Sequence, residues 1–138
     1  MSFLKENAKD NFMQKTILVV EDERPLLEAV KIKLQERGHK VLAYLNVDEA
    51  IDVLKSGVEI DAVWLDHYLP SRNGLDVVIF MKEISKKYKH TPIFLVSNSV
   101  SSERIFQYLH LGVDGYFAKA ESKLEDIVEN IEQVIKDK

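Results

Sequence analysis

Five short apolar runs alternate with segments whose apolar residues recur at helical spacing, and no Pro- or Gly-rich linker breaks the series. The runs are residues 16–21, 40–45, 60–65, 92–96 and 114–118. A strand exposed on one face alternates apolar and polar side chains, whereas a strand covered on both faces is apolar almost throughout. Strands of the second kind, each followed by a helix, build a parallel sheet with helices on both sides.

Right-handed crossovers leave few topologies for such a chain. The expected fold is α/β: a flavodoxin-like (βα)5 three-layer sandwich around a parallel five-stranded sheet of order 2-1-3-4-5. The spacing predicts helices over 25–37, 46–56, 74–87, 101–111 and from about 122 onward. Pro25 falls in the first turn of the first helix and Gly38 follows its end. Leu26, Leu27, Val30, Ile32 and Leu34 mostly form its apolar side. Asn46 and Glu49 have capping-box spacing at the second. The third is expected to bury Val77, Val78, Phe80, Met81 and Ile84.

A chain of 138 residues suits one domain. Residues 15–138 are assigned to it, and residues 1–14 to an N-terminal tail that is either mobile or a short surface helix. The absence of cysteine excludes disulfides, thiolate zinc sites and cysteine nucleophiles. It also fits a cytoplasmic location. A net charge of −4 disfavours a nucleic-acid surface. Lys82, Lys86, Lys87 and Lys89 read as the solvated end of a helix. No apolar run approaches the roughly 18 residues of a membrane span.

Function should collect beyond the carboxyl ends of the strands, at the switch point of the strand order. The first run ends in Glu21-Asp22-Glu23 and the third in Asp66. In this order those strands are neighbours, so the carboxylates should share one pocket. Carboxylates about 5 Å apart repel by about 3 kcal/mol at an effective dielectric near 20. A hard divalent cation such as Mg²⁺ takes oxygen ligands of this kind. Ser97 ends the fourth run and Lys119 follows the fifth. A carboxylate trio, a hydroxyl and an ammonium on one rim suit phosphoryl transfer to a carboxylate. Taken singly, each residue has a plainer use. Asp66 could cap a turn before Leu69-Pro70, Ser97 and Asn98 could cap a helix, and Lys119 could be a surface lysine.

Four blocks match one family in order and spacing. They are Leu18-Val-Val-Glu21-Asp22-Glu23, Asp66-His-Tyr-Leu-Pro-Ser-Arg-Asn-Gly74, Phe94-Leu-Val-Ser97 and Gly115-Tyr-Phe-Ala-Lys119. From about Lys15 to Lys138 the chain resembles a response-regulator receiver domain of two-component signalling, the CheY-like superfamily. The second block resembles that family's Asp-x-x-hydrophobic-Pro-x-x-x-Gly loop. The resemblance implies that Asp66 is the phosphoacceptor and that Asp22, Glu21, Asp66 and the backbone carbonyl of Tyr68 hold Mg²⁺ or Mn²⁺. It makes Lys119 the phosphate-pairing cation, Ser97 the switch hydroxyl, and Tyr116 the aromatic that rotates with Ser97. It implies a histidine kinase or histidine phosphotransfer protein as donor, and a downstream protein reading the face of residues 101–138. Such a domain turns over no separate substrate.

The chain departs from the family where Ala120 follows Lys119, a place usually held by proline. A cis non-proline bond costs about 3–4 kcal/mol. A trans bond and a relaxed loop are therefore expected, with Lys119 held less rigidly. Tyr68 should stand where a hydrolytic water would approach. Phe106, Tyr108 and His110 cannot all lie on one buried stripe, so either some form a partner surface beside Tyr116 or the helix is rotated to pack them. Trp64 should be a core indole near the pocket. Ala120 lends weight to an alternative, a degenerate receiver that acts as a phosphorylation-independent interaction module. A flavodoxin would need a phosphate cradle after the first strand, which the acidic triplet would repel. A haloacid-dehalogenase-type phosphatase would need Asp-x-Asp there, and that spacing is absent.

Overall fold

The computed structural model describes residues 14–136. The expected tail, apart from Gln14, lies outside the described residues. The strands are β1 (Thr16–Val20), β2 (Lys40–Tyr44), β3 (Ala62–Leu65), β4 (Ile93–Ser97) and β5 (Gly115–Ala118). All pairs are parallel and the order is β2-β1-β3-β4-β5, as expected. The helices are α1 (Arg24–Glu36), α2 (Val47–Lys55), α3 (Gly74–Ile79), α4 (Ser102–His110) and α5 (Leu124–Lys136).

Alternation along the strands fills two cores. Leu18, Val20, Val63, Leu65, Ile93 and Leu95 face α2 and α3. Ile17, Val19, Ala62, Trp64, Phe94 and Val96 face α1 and α5. The apolar runs are continuous because each face has its own cover. Asn46 caps α2 by accepting from the Glu49 amide at 2.9 Å.

Three expectations about the helices need correction. Ile32 is 53% exposed. Leu27, Val30 and Leu34 already form the buried stripe of α1, and Ile32 points away from it. The helix expected over 74–87 is shorter and irregular. After Ile79 it widens into a π-helical turn, Phe80–Ile84, and the chain leaves it at Ser85. The Ser85 amide donates to the Phe80 carbonyl, five positions back, at 2.8 Å. The extra residue rotates the end of the helix, so Ile84 is 66% exposed. Tyr88 takes the core position instead, and its hydroxyl donates to the Val58 carbonyl at 2.6 Å. The third correction concerns Ala120. Its peptide bond to Lys119 is trans, as expected. The segment is not a relaxed loop, however, but a single 3₁₀ turn, Lys119–Glu121. Alanine has the N–H and lacks the ring that would restrict such a turn.

Candidate functional site

The sheet itself brings the carboxylates together. Val20 and Leu65 end their strands in register. One residue further, the Glu21 amide donates to the Tyr44 carbonyl and the Asp66 amide to the Val20 carbonyl, both at 3.0 Å. The two side chains therefore emerge from adjacent strands at the switch point. Both are buried, while Asp22 is exposed. One carboxylate oxygen from each of Glu21, Asp22 and Asp66 lies within 4.8 Å of the others.

Asp66 is held from two sides. Its Oδ1 accepts from the Ser97 hydroxyl at 2.5 Å and from the Tyr68 amide at 3.2 Å. Its Oδ2 accepts from Lys119 Nζ at 2.8 Å. Lys119 also donates to Glu21 Oε2 at 3.0 Å and to Glu23 Oε2 at 2.9 Å. An ammonium has three donors, and here each meets a carboxylate. Ser97 is fully buried at the end of β4, where Leu95 pairs with Tyr116 in β5. Tyr116 is half-buried against the core on the α3 side.

One ammonium cannot neutralise the acidic groups gathered here. Burial raises the Glu21 carboxyl most, and nearby Asp66 adds to the rise. The bond from Lys119 pulls the other way without cancelling them, and the result is about 7. Burial alone would lower Lys119. Its bonds to Asp66, Glu23 and Glu21 outweigh that and hold it above its ordinary value. The two shifts are compatible because burial penalises the ionised Glu21 more than a share of one ammonium compensates it, while that ammonium gains from three carboxylates at once. Its Oε1 is buried without a hydrogen-bond partner. A buried orphan oxygen beside two further carboxylates fits a hard divalent cation.

Around these groups lies a cleft of about 190 Å³, lined by Asp22, Glu23, Asp66, Tyr68, Asn98 and Lys119. A second cavity of about 290 Å³ shares Glu23, Asn98 and Lys119 with it and reaches Trp64 and Ala120. Trp64 is thus a core side chain that lines the neighbouring cavity and not the acidic cleft itself. Tyr68 is 52% exposed, and its hydroxyl donates to the Ser99 carbonyl at 3.0 Å. That bond joins the loop after β3 to the loop after β4, where Ser99 adopts a positive φ of 34°.

The loop after β3 is closed at its base. Tyr68 and Asn73 form an antiparallel bridge, and the Gly74 amide donates to the His67 carbonyl at 3.0 Å. Asn73 and Asp76 form a capping box on α3. A Cβ on Gly74 would stand 2.6 Å from the Asp66 carbonyl oxygen and 2.8 Å from the Tyr108 hydroxyl. Only glycine allows that approach.

Two features of the site carry no sequence signal of their own. Spacing marks Glu23 only as part of an acidic triplet, yet it shares Lys119. His67 falls in a loop by sequence, yet it is buried and its Nδ1 lies 2.5 Å from the Tyr108 hydroxyl. Burial first, then the positive charge of Arg104, lowers the His67 ring's affinity for a proton. Of the three bulky residues singled out in α4, Tyr108 is buried while Phe106 and His110 are exposed.

The response regulator receiver domain family matches residues 17–132. The non-phosphorylated HemR receiver domain from Leptospira biflexa is 26% identical, with a TM-score of 0.78 over 88% of this chain and 94% of that one. A CheY-like receiver domain protein from Methanospirillum hungatei shares the fold at 21% identity, with a TM-score of 0.81 over 90% of this chain and 95% of that one. Chemotaxis protein CheY4 from Vibrio cholerae shares it at 22% identity, with a TM-score of 0.79 over 88% and 98%. With its strand order, its acidic rim and a match across most of its length, this chain belongs to the response regulator receiver domain family, a family of signalling domains.

Proposed function

We propose that this chain accepts a phosphoryl group on Asp66 from a histidine kinase or a histidine phosphotransfer protein, in a reaction that needs Mg²⁺ or Mn²⁺. The observation that carries this reading is the Asp66 carboxylate, fixed between Ser97 Oγ and Lys119 Nζ beside the orphan oxygen of Glu21. In the transfer an Asp66 oxygen forms a bond to phosphorus while the donor's bond to phosphorus breaks, and the electron pair of that bond leaves with the donor. Glu21, Asp22, Asp66 and the Tyr68 carbonyl would hold the cation, which when bound supplies positive charge to the phosphoryl oxygens. Lys119 pairs with a phosphoryl oxygen, and Ser97 turns from Asp66 to donate to another. The product carries about −2 charge.

Tyr116 moves with Ser97 and alters the face of residues 101–138, which a downstream protein reads. Residues 15–138 are assigned to the receiver. The domain works in the cytoplasm without nucleic acid or membrane and turns over no separate substrate. Among the described residues, no helix is long and apolar enough to cross a membrane.

Incubation with acetyl phosphate and Mg²⁺, followed by intact mass measurement, is expected to add one phosphoryl mass to the wild type. Asp66→Asn is expected to gain none. No gain in the wild type would favour a degenerate receiver, the reading to which Ala120 lends weight.

Tyr68 bears on how long the phosphoryl group lasts. Its ring lines the mouth of the cleft and is anchored through Ser99. Tyr68→Ala is expected to speed dephosphorylation roughly tenfold, the equivalent of about 1.4 kcal/mol in barrier. Decay of the phosphorylated mass after removal of the donor measures it, and an unchanged rate would refute a shielding role.

A further inference from the structure

His67 and Tyr108 have no part in the chemistry above, yet both are buried against it. His67 directly follows Asp66. Its ring meets that of Tyr108 edge to face, with centroids 5.4 Å apart and an interplanar angle of 89°. The phenol hydroxyl and imidazole Nδ1 are hydrogen-bonded across 41 residues of sequence. The same hydroxyl sits against the first residue of α3, as the close approach to Gly74 shows. Tyr108 is the one fully buried side chain of α4. Phe106 and Leu109, on the same helix, are 71% and 49% exposed. The anchor of α4 is therefore bonded to the acceptor's immediate neighbour.

We propose that Tyr108 and His67 form a second switch linkage, through which phosphorylation of Asp66 reaches α4 independently of the Ser97–Tyr116 route. Tyr108 is a positioning residue in this scheme. The inference rests on the reading of Asp66 as phosphoacceptor. When Asp66 gains charge, its partners Ser97 and Lys119 must rearrange, and the backbone at 66–68 carries their adjustments. The Tyr68 amide already bonds Asp66 Oδ1, so the loop is bound to that carboxylate directly. A shift at His67 moves the partner of the Tyr108 hydroxyl. The Leu75 amide also bonds that hydroxyl, but only as a donor to it, so a phenol O–H that loses the imidazole is left buried with nothing to accept its proton; that is costly, and α4 follows the imidazole. Signal transfer of this kind needs a contact whose energy differs between two states. A hydrogen bond in an apolar setting is such a contact, because it is strongly directional.

The test is amide NMR of the full chain with Mg²⁺, before and after addition of beryllofluoride as the phosphoryl mimic. In the wild type, the amides of Ser102–His110 and of Gly115–Ala118 are both expected to shift, together with the ring nitrogens of His67. In Tyr108→Phe, which removes only the hydroxyl, beryllofluoride should still bind and the β5 shifts should persist. The α4 shifts should fall at least twofold. His67→Phe should give the same pattern, and the double variant no more than either alone. A purely structural contact would lower stability and leave the α4 response intact, which would overturn the inference. Wild-type His67 ring signals that ignore beryllofluoride would also overturn it, even if neither variant folds. If the wild type takes no phosphoryl group from acetyl phosphate, the reading of Asp66 as phosphoacceptor falls and this inference with it. Normal uptake with a full α4 response in the variants removes the inference alone.

Discussion

Lys119→Gln is expected to lower the unfolding free energy of the metal-free protein at pH 8 by about 3–5 kcal/mol, the range for removing one partner of a buried ion pair. Lys119 binds three carboxylates, and two of them, Glu21 and Asp66, are buried. Glutamine keeps some of the volume and one donor group but no charge. The carboxylates then repel one another without compensation. Urea denaturation in chelator, followed by the fluorescence of the buried Trp64, measures the loss. The same variant should regain stability on two routes. Mg²⁺ is expected to bind the folded acidic cluster and, at one hundred times its dissociation constant, to add about 2.7 kcal/mol. Lowering the pH protonates Glu21 and removes one of the repelling charges. A variant as stable as the wild type in chelator at pH 8 would mean that the trio tolerates its own repulsion, and that the ammonium is dispensable for folding.

The parts of this site that can be read from sequence are those fixed by strand order. Glu21, Asp22, Asp66, Ser97 and Lys119 all end or follow strands. Once the five apolar runs imply 2-1-3-4-5, the sheet has no other rim on which to place them. Contacts that depend on rotamers and loop closure are not accessible in that way. Glu23 reaches Lys119 across 96 residues, and nothing in the triplet distinguishes its side chain from that of a solvated acid. The His67–Tyr108 bond joins a loop to a helix with no pattern linking them. The π-helical turn defeats periodicity outright, since a template of 3.6 residues per turn cannot anticipate an inserted residue. Periodicity consequently assigns Ile84 to a core that Tyr88 fills.

Glu21→Gln is expected to be more stable than the wild type at pH 8 without metal, and to lose that advantage near pH 4. The carboxyl of Glu21 is raised from 4.5 to about 7 in the folded protein, chiefly by burial. Below 4.5 the group is protonated in both folded and unfolded chains, so it contributes no difference. Between 4.5 and 7 the unfolded chain ionises first, and the folded state falls behind as the pH rises. Above 7 the full penalty applies, on the order of 3 kcal/mol for a shift of this size. Glutamine never ionises and escapes the penalty, although Lys119 loses one partner, so the net gain at pH 8 is expected to be about 1–3 kcal/mol. Mg²⁺ should reverse the ranking. It draws on the ionised Glu21, so the wild type should gain far more stability from added Mg²⁺ at pH 8 than the variant. Protons should compete with the metal below pH 7, weakening its binding by up to tenfold per pH unit. Paired urea titrations of both proteins at pH 4, 6 and 8, with chelator and with Mg²⁺, separate these effects. A stability difference that does not vary with pH would show that Glu21 binds its proton equally well in the folded and unfolded chains. The cost of the acidic rim would then be met by Lys119 alone, and the orphan oxygen would be no indication of a cation.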